Sequence, residues 1–374
     1  MARADRRSRV DDFYRRVADT LIERMQEGEA TWTQAWEPGA NSLPYNVKTG
    51  KPYRGGNTVW LAEKAAKRGY GDARWGTFKQ VKDLGGHVRR GEKGCPILFW
   101  QFESKRLARA KDGRPVLDDE GQPVYETRVL PRPRVYPYTV FNAEQCNGLP
   151  GRTVRRSAET WDRHKEAERV FRNVGAVVQH SGDDRAYYDL ARDRIVLPYR
   201  DQFPNAPSYY QTALHELGHW TGHPDRLNRE TLVRGTEAGF WSTLYAREEL
   251  RAEISSMMTG DRLNLGHDPS RHAGYVRSWV RALRDDPREI YRAARDAQMM
   301  SDYLLDRDRG RQQERESRIR SAVRDRPGSG SRVAGRVVGR TGEERSPARP
   351  RSRTVLFPVS APSRDRMREA GPER

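Results

Sequence analysis

Cysteine occurs only twice in the 374 residues, at Cys95 and Cys146, and the two stand far from any CxxC spacing. That excludes a cysteine-built zinc site and a disulfide scaffold, and it fits a reduced, cytoplasmic chain. No apolar run approaches the ~18 residues of a membrane span, and no hydrophobic segment follows the N-terminal arginines to make a signal peptide. No membrane partner is expected. Histidine is scarce too, at 8 residues, and hydrophobic residues reach only 35% against 33% charged. The length still allows two domains with cores of their own.

Acidic residues are outnumbered, giving a formal net charge of +18, and the excess is uneven. Residues 1–150 carry 27 Lys+Arg against 19 Asp+Glu, residues 151–306 carry 24 against 24, and residues 307–374 carry 19 against 9. A neutral middle flanked by two basic regions assigns polyanion binding to the flanks, with nucleic acid as the expected partner.

The neutral middle holds the sharpest motif, His215-Glu216-Leu217-Gly218-His219. On a helix His215 and His219 lie four residues apart on one face and can bind one Zn2+, with Glu216 turned toward a water on that ion as general base. Tyr209, Tyr210, Ala213, Leu214 and Leu217 supply an apolar face at helical spacing. Two histidines need a third protein ligand, and two candidates stand nearby. Glu249 lies in an amphipathic helix with Glu253 four residues on, so one carboxylate can bind the metal while the other accepts an imidazole N–H, the gluzincin arrangement. Asp225 is the alternative, because residues 215–225 also fit HExxHxxGxxD with Gly222 at the turn, which leaves His223 a bystander. Glu249 is preferred, since the Glu249/Glu253 pair explains two carboxylates on a half-apolar helix; a solvated face shared with Arg247 and Arg251 is the other account of that pair.

The N-terminal region opens with Phe13, Val17, Leu21, Ile22 and Met25 at helical spacing, ending near Gly28. Aromatics then alternate with bases. Trp32, Trp36, Tyr45, Tyr53, Trp60, Tyr70, Trp75, Phe78, Phe99 and Trp100 recur among Lys48, Lys51, Arg54, Arg74, Lys79, Arg89, Arg90 and Lys93. Such interleaving suits a single strand, whose unstacked bases lie on rings while cations track the phosphates. About half of these aromatics are expected in the core, as a domain of this size needs large side chains inside. Residues 85–94 read as a basic hairpin feeding a strand at 96–100, residues 103–131 as a surface insertion or long hairpin, and Val135 to Asn142 as a strand. The boundary falls at 147–151. Beyond it come a helix with Trp161, Ala167, Val170 and Phe171, short strands at 176–178 and 195–198, the zinc helices, and two further helices with Tyr275, Trp279 and Leu283, then Ile290 to Leu304. His267 and His272 have no partner spacing and read as structural. From about residue 307 the text turns to Arg, Ser, Pro and Gly and reads as a basic disordered tail.

Several of these segments together resemble the ArdC-type antirestriction proteins of plasmids and phages. The resemblance rests on Pro44-Tyr45-Asn46 with Tyr53-Arg54-Gly55-Gly56-Asn57, on residues 75–80, on Gly91-Glu92-Lys93-Gly94, on Val140-Phe141-Asn142, on residues 193–198, on His215 to His223 with Arg226-Leu227, and on residues 248–253. It spans about residues 10–306. The resemblance implies an α+β chain of two domains, a mixed α/β single-stranded-DNA-binding domain over residues 1–150 and a zincin-like metallopeptidase domain over 151–306; the insertion at 103–131 and the disordered basic tail at 307–374 depart from the family pattern. It also implies His215, His219 and Glu249 as metal ligands and Glu216 as the catalytic glutamate, while the helical spacing makes Glu253 the carboxylate behind a ligating imidazole. DNA contacts are expected from Tyr45, Asn46, Lys51, Tyr53, Arg54, Asn57, Trp75, Lys79, Arg89, Arg90 and Lys93. The implied function is protection of incoming DNA from host restriction, by coating the strand or by acting on a host protein as peptidase substrate. The alternative is a non-catalytic single-strand-binding accessory of replication or conjugation with a structural metal site.

Overall fold

The computed structural model describes residues 2–28, 43–110, 112–151, 160–239, 242–267 and 275–324. Trp32, Trp36, His272 and residues 325–374 of the expected tail lie outside them, as does the Trp161 side chain. Two compact units emerge, one from residues 1–17 and 42–154, the other from 18–41 and 155–374. Helix α1 (Ala2–Gln26) forms where the apolar spacing predicts it, with Phe13, Val17, Leu21, Ile22 and Met25 all buried.

In the first unit β1 (Tyr45–Asn46) runs parallel to β2 (Arg74–Thr77), which is antiparallel to β5 (Tyr125–Asn142), itself antiparallel to β4 (Cys95–Leu107). Helix α2 (Gly56–Arg68) closes the start of β4 with side chains that imitate a strand. Asn57 Nδ2 donates to the Leu98 carbonyl at 2.7 Å while its Oδ1 accepts the Leu98 N–H at 3.2 Å, and Trp60 Nε1 donates to the Pro96 carbonyl at 2.9 Å. Helix α3 (Phe78–Asp83) starts on a capping box between Thr77 and Gln80. The basic hairpin expected at 85–94 is not self-contained. β4 is paired along its length by β5, so β3 (His87–Val88) finds its partner in β6 (Cys146–Asn147) instead. Since β2 meets β5 only at Val140–Asn142, the rest of β4 and β5 projects as a two-stranded arm, and the expected insertion at 103–131 is its outer end.

In the second unit α4 (Thr160–Val174) precedes a three-stranded sheet. β7 (Val177–Ser181) lies parallel to the central β9 (Arg194–Pro198), and β8 (Tyr187–Asp189), too short to announce itself in the sequence, pairs antiparallel on the other side. Then come α5 (Ala206–Trp220), α6 (Glu230–Ala238), α7 (Thr243–Arg262), α8 (Val276–Asp285) and α9 (Glu289–Arg324). Together the two units make the expected α+β, two-domain architecture. Helix α9 corrects the expectation that order ends near residue 307. Apolar periodicity does stop there, but polar anchors continue: Arg307 Nε donates to the Val174 carbonyl at 2.7 Å and buried Asp308 accepts from Asn173 Nδ2 at 2.7 Å.

Helix α5 is covered on one side by β8 and β9 and on another by α7, and it is buried from Ser208 to Trp220. Asn205 caps it, accepting the Ser208 N–H at 2.9 Å. Close approach to α7 depends on Gly218, where a Cβ would stand 3.3 Å from the Ala252 Cα and 3.1 Å from the Met300 Cε. Gly218→Val should therefore overpack this interface and cost about 1–3 kcal/mol. Urea denaturation should show the midpoint falling with an unchanged m-value.

Candidate functional site

The packing of α5 on α7 brings two imidazoles and four carboxylates into one buried cluster. His215, Glu216 and His219 come from α5, and Glu248, Glu249 and Glu253 from α7; each is at most 1% exposed. His215 Nε2 and His219 Nε2 face each other at 3.2 Å, His215 Nε2 lies 3.3 Å from Glu249 Oε2, and His219 Nε2 lies 3.5 Å from Glu249 Oε1. Ligands of a tetrahedral zinc at 2.0–2.1 Å stand about 3.3 Å from one another. The triangle of donor atoms thus has the size that a first-row metal demands, and His215, His219 and Glu249 are a set whose ligand atoms converge. Neither oxygen of Glu216 or of Glu249 has a hydrogen-bond partner of normal geometry, a state that buried carboxylates tolerate only beside a cation or a water.

Asp225 is not part of the cluster. Its side chain is 87% exposed and reaches His223 Nδ1 at 3.6 Å, so the turn after α5 carries it away from the histidines.

Behind each imidazole stands a carboxylate. Glu253 Oε2 lies 3.1 Å from His215 Nδ1, as the spacing from Glu249 predicts. Glu248 Oε1 lies 3.3 Å from His219 Nδ1, which the sequence did not reveal. Both ring nitrogens aimed at the centre are thereby fixed as its donors. Glu248 is held in turn by Arg229 at 2.5 Å and by the Thr231 hydroxyl at 2.6 Å. His267, read as structural, is buried with Nε2 3.4 Å from Glu253 Oε1 and Nδ1 3.4 Å from Gln211 Oε1. Two more tyrosines escaped sequence reasoning: Tyr245 and Tyr275 are buried, with hydroxyls 3.4 Å apart. Burial, with Glu249 nearby, keeps both protonated well above the ordinary tyrosine range.

A family model of the N-terminal domain of the anti-restriction factor ArdC matches residues 11–141, and one of a zincin-like metallopeptidase matches residues 165–296. The solved metal-free antirestriction protein ArdC of plasmid R388 is 35% identical, with a TM-score of 0.61 over 80% of this chain and 98% of that one. The chain belongs to the ArdC antirestriction family. The Mn(II)-bound structure of the R388 protein is 34% identical with a TM-score of 0.59, covering 79% of this chain and 97% of that one. The uncharacterized protein y4eC of Sinorhizobium fredii (strain NBRC 101917 / NGR234) is 35% identical over 78% of this chain and 91% of its own length. Two Escherichia coli proteins named DNA primase TraC are 48% identical over 78% of this chain, and the chain spans only 20% and 27% of their lengths.

In this ArdC-family chain the expected DNA contacts divide. Lys51, Arg54, Lys79, Arg89, Arg90 and Lys93 are exposed, with Arg89 paired to Glu92 at 2.6 Å. Tyr45 is half-buried in β1 beside Arg74. Trp75 corrects the expectation, while Asn46, Tyr53 and Asn57 are half-buried and hydrogen-bonded within the domain. Trp75 is 0% exposed in β2 between β1 and β5 and offers no ring face. Tyr53 donates its hydroxyl to the Trp75 carbonyl at 3.3 Å, Asn46 donates to Gln80 at 3.1 Å and accepts the Lys48 and Thr49 amides, and Asn57 is bonded to β4. Motif polarity there closes turns and strand ends.

Electrostatics set the pH response of the candidate metal site. Burial alone would lower the His215 imidazole, yet the Glu249 and Glu253 carboxylates outweigh it and push it up to about 10; Glu249 and Glu248 push His219 up to about 9 against the same penalty. A cation entering the triangle must displace those protons, so its affinity falls as pH falls below about 9 and levels off above about 10. Calorimetric titration with Zn2+ or Mn2+ across pH should show this slope with proton release. Glu253→Gln, which removes the acceptor behind His215, should raise Kd about 10–100-fold at any one pH.

Proposed function

We propose that this chain is an antirestriction protein that binds single-stranded DNA through its N-terminal unit and hydrolyses peptide bonds at the His215, His219 and Glu249 centre. It would protect incoming plasmid or phage DNA from restriction in the host cytoplasm, with a host protein as peptidase substrate. The observation that carries this reading is the buried triangle of ligand atoms with the unpartnered carboxylate of Glu216 beside it. Two imidazoles and one carboxylate suit Zn2+. When bound, the ion supplies Lewis acidity to a scissile carbonyl and to the attacking water.

Every other part of the chemistry belongs to the chain. Burial pushes Glu216 up to about 7, which makes it a base able to take a proton from water and return it to the leaving amine. The backbone N–H of Tyr188 on β8 faces the same carboxylate and tempers that rise by favouring its charged form. As β8 is an edge strand, an extended peptide could pair along it beside Glu216. Tyr245 and Tyr275, both protonated, are hydroxyl donors in the same cluster for charge that develops on the substrate oxygen.

A second reading is favoured by the proteins named DNA primase TraC, of which the matching region is 20% and 27% of the length. On that reading the chain is a non-catalytic single-strand-binding accessory of replication or conjugation, its metal is structural, and protection comes from occupying the strand. Glu216→Gln separates the two. On the peptidase reading it lowers hydrolysis of an unfolded protein substrate by about 10²–10⁴-fold while metal content stays at wild-type level. Loss of antirestriction in a transfer assay with that variant supports the peptidase; full protection supports strand occupancy.

A further inference from the structure

The β4–β5 arm leaves large apolar side chains in solvent that the fold does not use. Phe99 is 52% exposed, Phe102 59% and Tyr138 48%. Register puts Ile97 opposite Tyr138, Phe99 opposite Tyr136 and Gln101 opposite Arg134, so these three pairs alternate onto one face of the ribbon. On that face the Phe99 and Tyr138 rings meet edge-on, with centroids 5.8 Å apart. Just beyond, the register shifts after Gln101, and Phe102 sits in the irregularity. Exposed rings on a two-stranded ribbon cost solubility and add nothing to a core, which marks them as an interaction surface.

Charge states what the surface meets. Over residues 96–106 and 126–139 the arm carries five bases against two acids. Among the described residues, Arg132 and Arg134 are exposed and stand in no ion pair. Pairing of a peptide onto the ribbon edge is disfavoured on both sides. β5 lacks N–H donors at Pro131, Pro133 and Pro137, and the inner part of β4 is already closed at Pro96 and Leu98 by Trp60 and Asn57. What remains is recognition by side chains: rings for stacking, guanidinium groups for phosphate.

We propose that single-stranded nucleic acid docks on the β4–β5 arm, its bases stacking on Phe99 and Tyr138 and its phosphates meeting Arg132 and Arg134. This rests on the single-strand reading above and relocates its stacking surface, because Trp75 is buried and Tyr53 is tied to the sheet. The exposed bases of the earlier motifs extend the phosphate track rather than stack.

Fluorescence anisotropy of the full chain with labelled oligo-dT, in a salt series, tests the assignment. Phe99→Ala with Tyr138→Ala should raise Kd at least tenfold with a nearly unchanged salt slope, whereas Phe99→Trp with Tyr138→Trp should keep wild-type affinity. Arg132→Ala with Arg134→Ala should instead flatten the slope of log Kd against log salt by roughly one to two. Thermal melting at the wild-type Tm is expected for all three variants, since every changed side chain is exposed. Wild-type binding that the ring and arginine variants leave intact overturns the arm alone and gives its rings to a protein partner. Absence of oligo-dT binding by the wild-type chain overturns both the arm and the single-strand reading.

Discussion

Four buried carboxylates on two packed helices cannot all keep their charge unless positive charge is brought to them. Glu216, Glu248, Glu249 and Glu253 are each at most 1% exposed, and the guanidinium that reaches them, from Arg229, is committed to Glu248. The deficit falls on His215 and His219, which is why Glu249 and its neighbours drive both imidazoles toward their charged forms despite full burial. Protons on the two rings or a divalent cation between them are alternative ways to meet one electrostatic demand. A cation meets it better, because it also gives partners to oxygens that protonated imidazoles leave unsatisfied.

The surrounding structure serves that demand. Gly218 lets α5 and α7 come close enough for α7 carboxylates to reach α5 rings, and Arg229 ties the two helices by donating to the Gly218 carbonyl at 2.8 Å as well as to Glu248. On the other side Gln211 and Ser256 are bonded at 2.8 Å, and Gln211 carries the chain of contacts through His267 to Glu253. Each imidazole is thus oriented by a group that is itself oriented. Arg251, which could have been read as solvated beside Glu249, is instead buried between Glu289 and Asp296, where it fastens α7 to α9.

Legibility from sequence followed the range of the interaction. His215, Glu216 and His219 could be placed from helical period alone, and Glu249 with Glu253 from the same period on the next long helix. Glu248, Arg229, His267, Tyr245 and Tyr275 could not, because what makes them functional is contact across 19 to 56 residues of chain, for which no local spacing exists. In the first unit the alternation of rings and bases was visible, but not which rings face water. That depends on strand order: β2 lies between β1 and β5 and hides Trp75, while the outward course of β4 and β5 beyond β2 exposes Phe99 and Tyr138. The polar tail boundary failed for a related reason, since α9 is held past residue 307 by Arg307 and Asp308 rather than by an apolar stripe.

The two units handle charge in opposite ways, and the difference follows from water. In the second unit the charges of the candidate site are buried, so ions in solution screen them little and their mutual distances decide how they respond. In the N-terminal unit the cations of the arm and loops are exposed, so their attraction for a polyanion is long-ranged at low salt and fades as salt rises. Aromatic stacking does not fade in that way. A strand docked on the arm as proposed would therefore be captured through charge and retained through stacking, which a basic surface without rings would not do at physiological ionic strength.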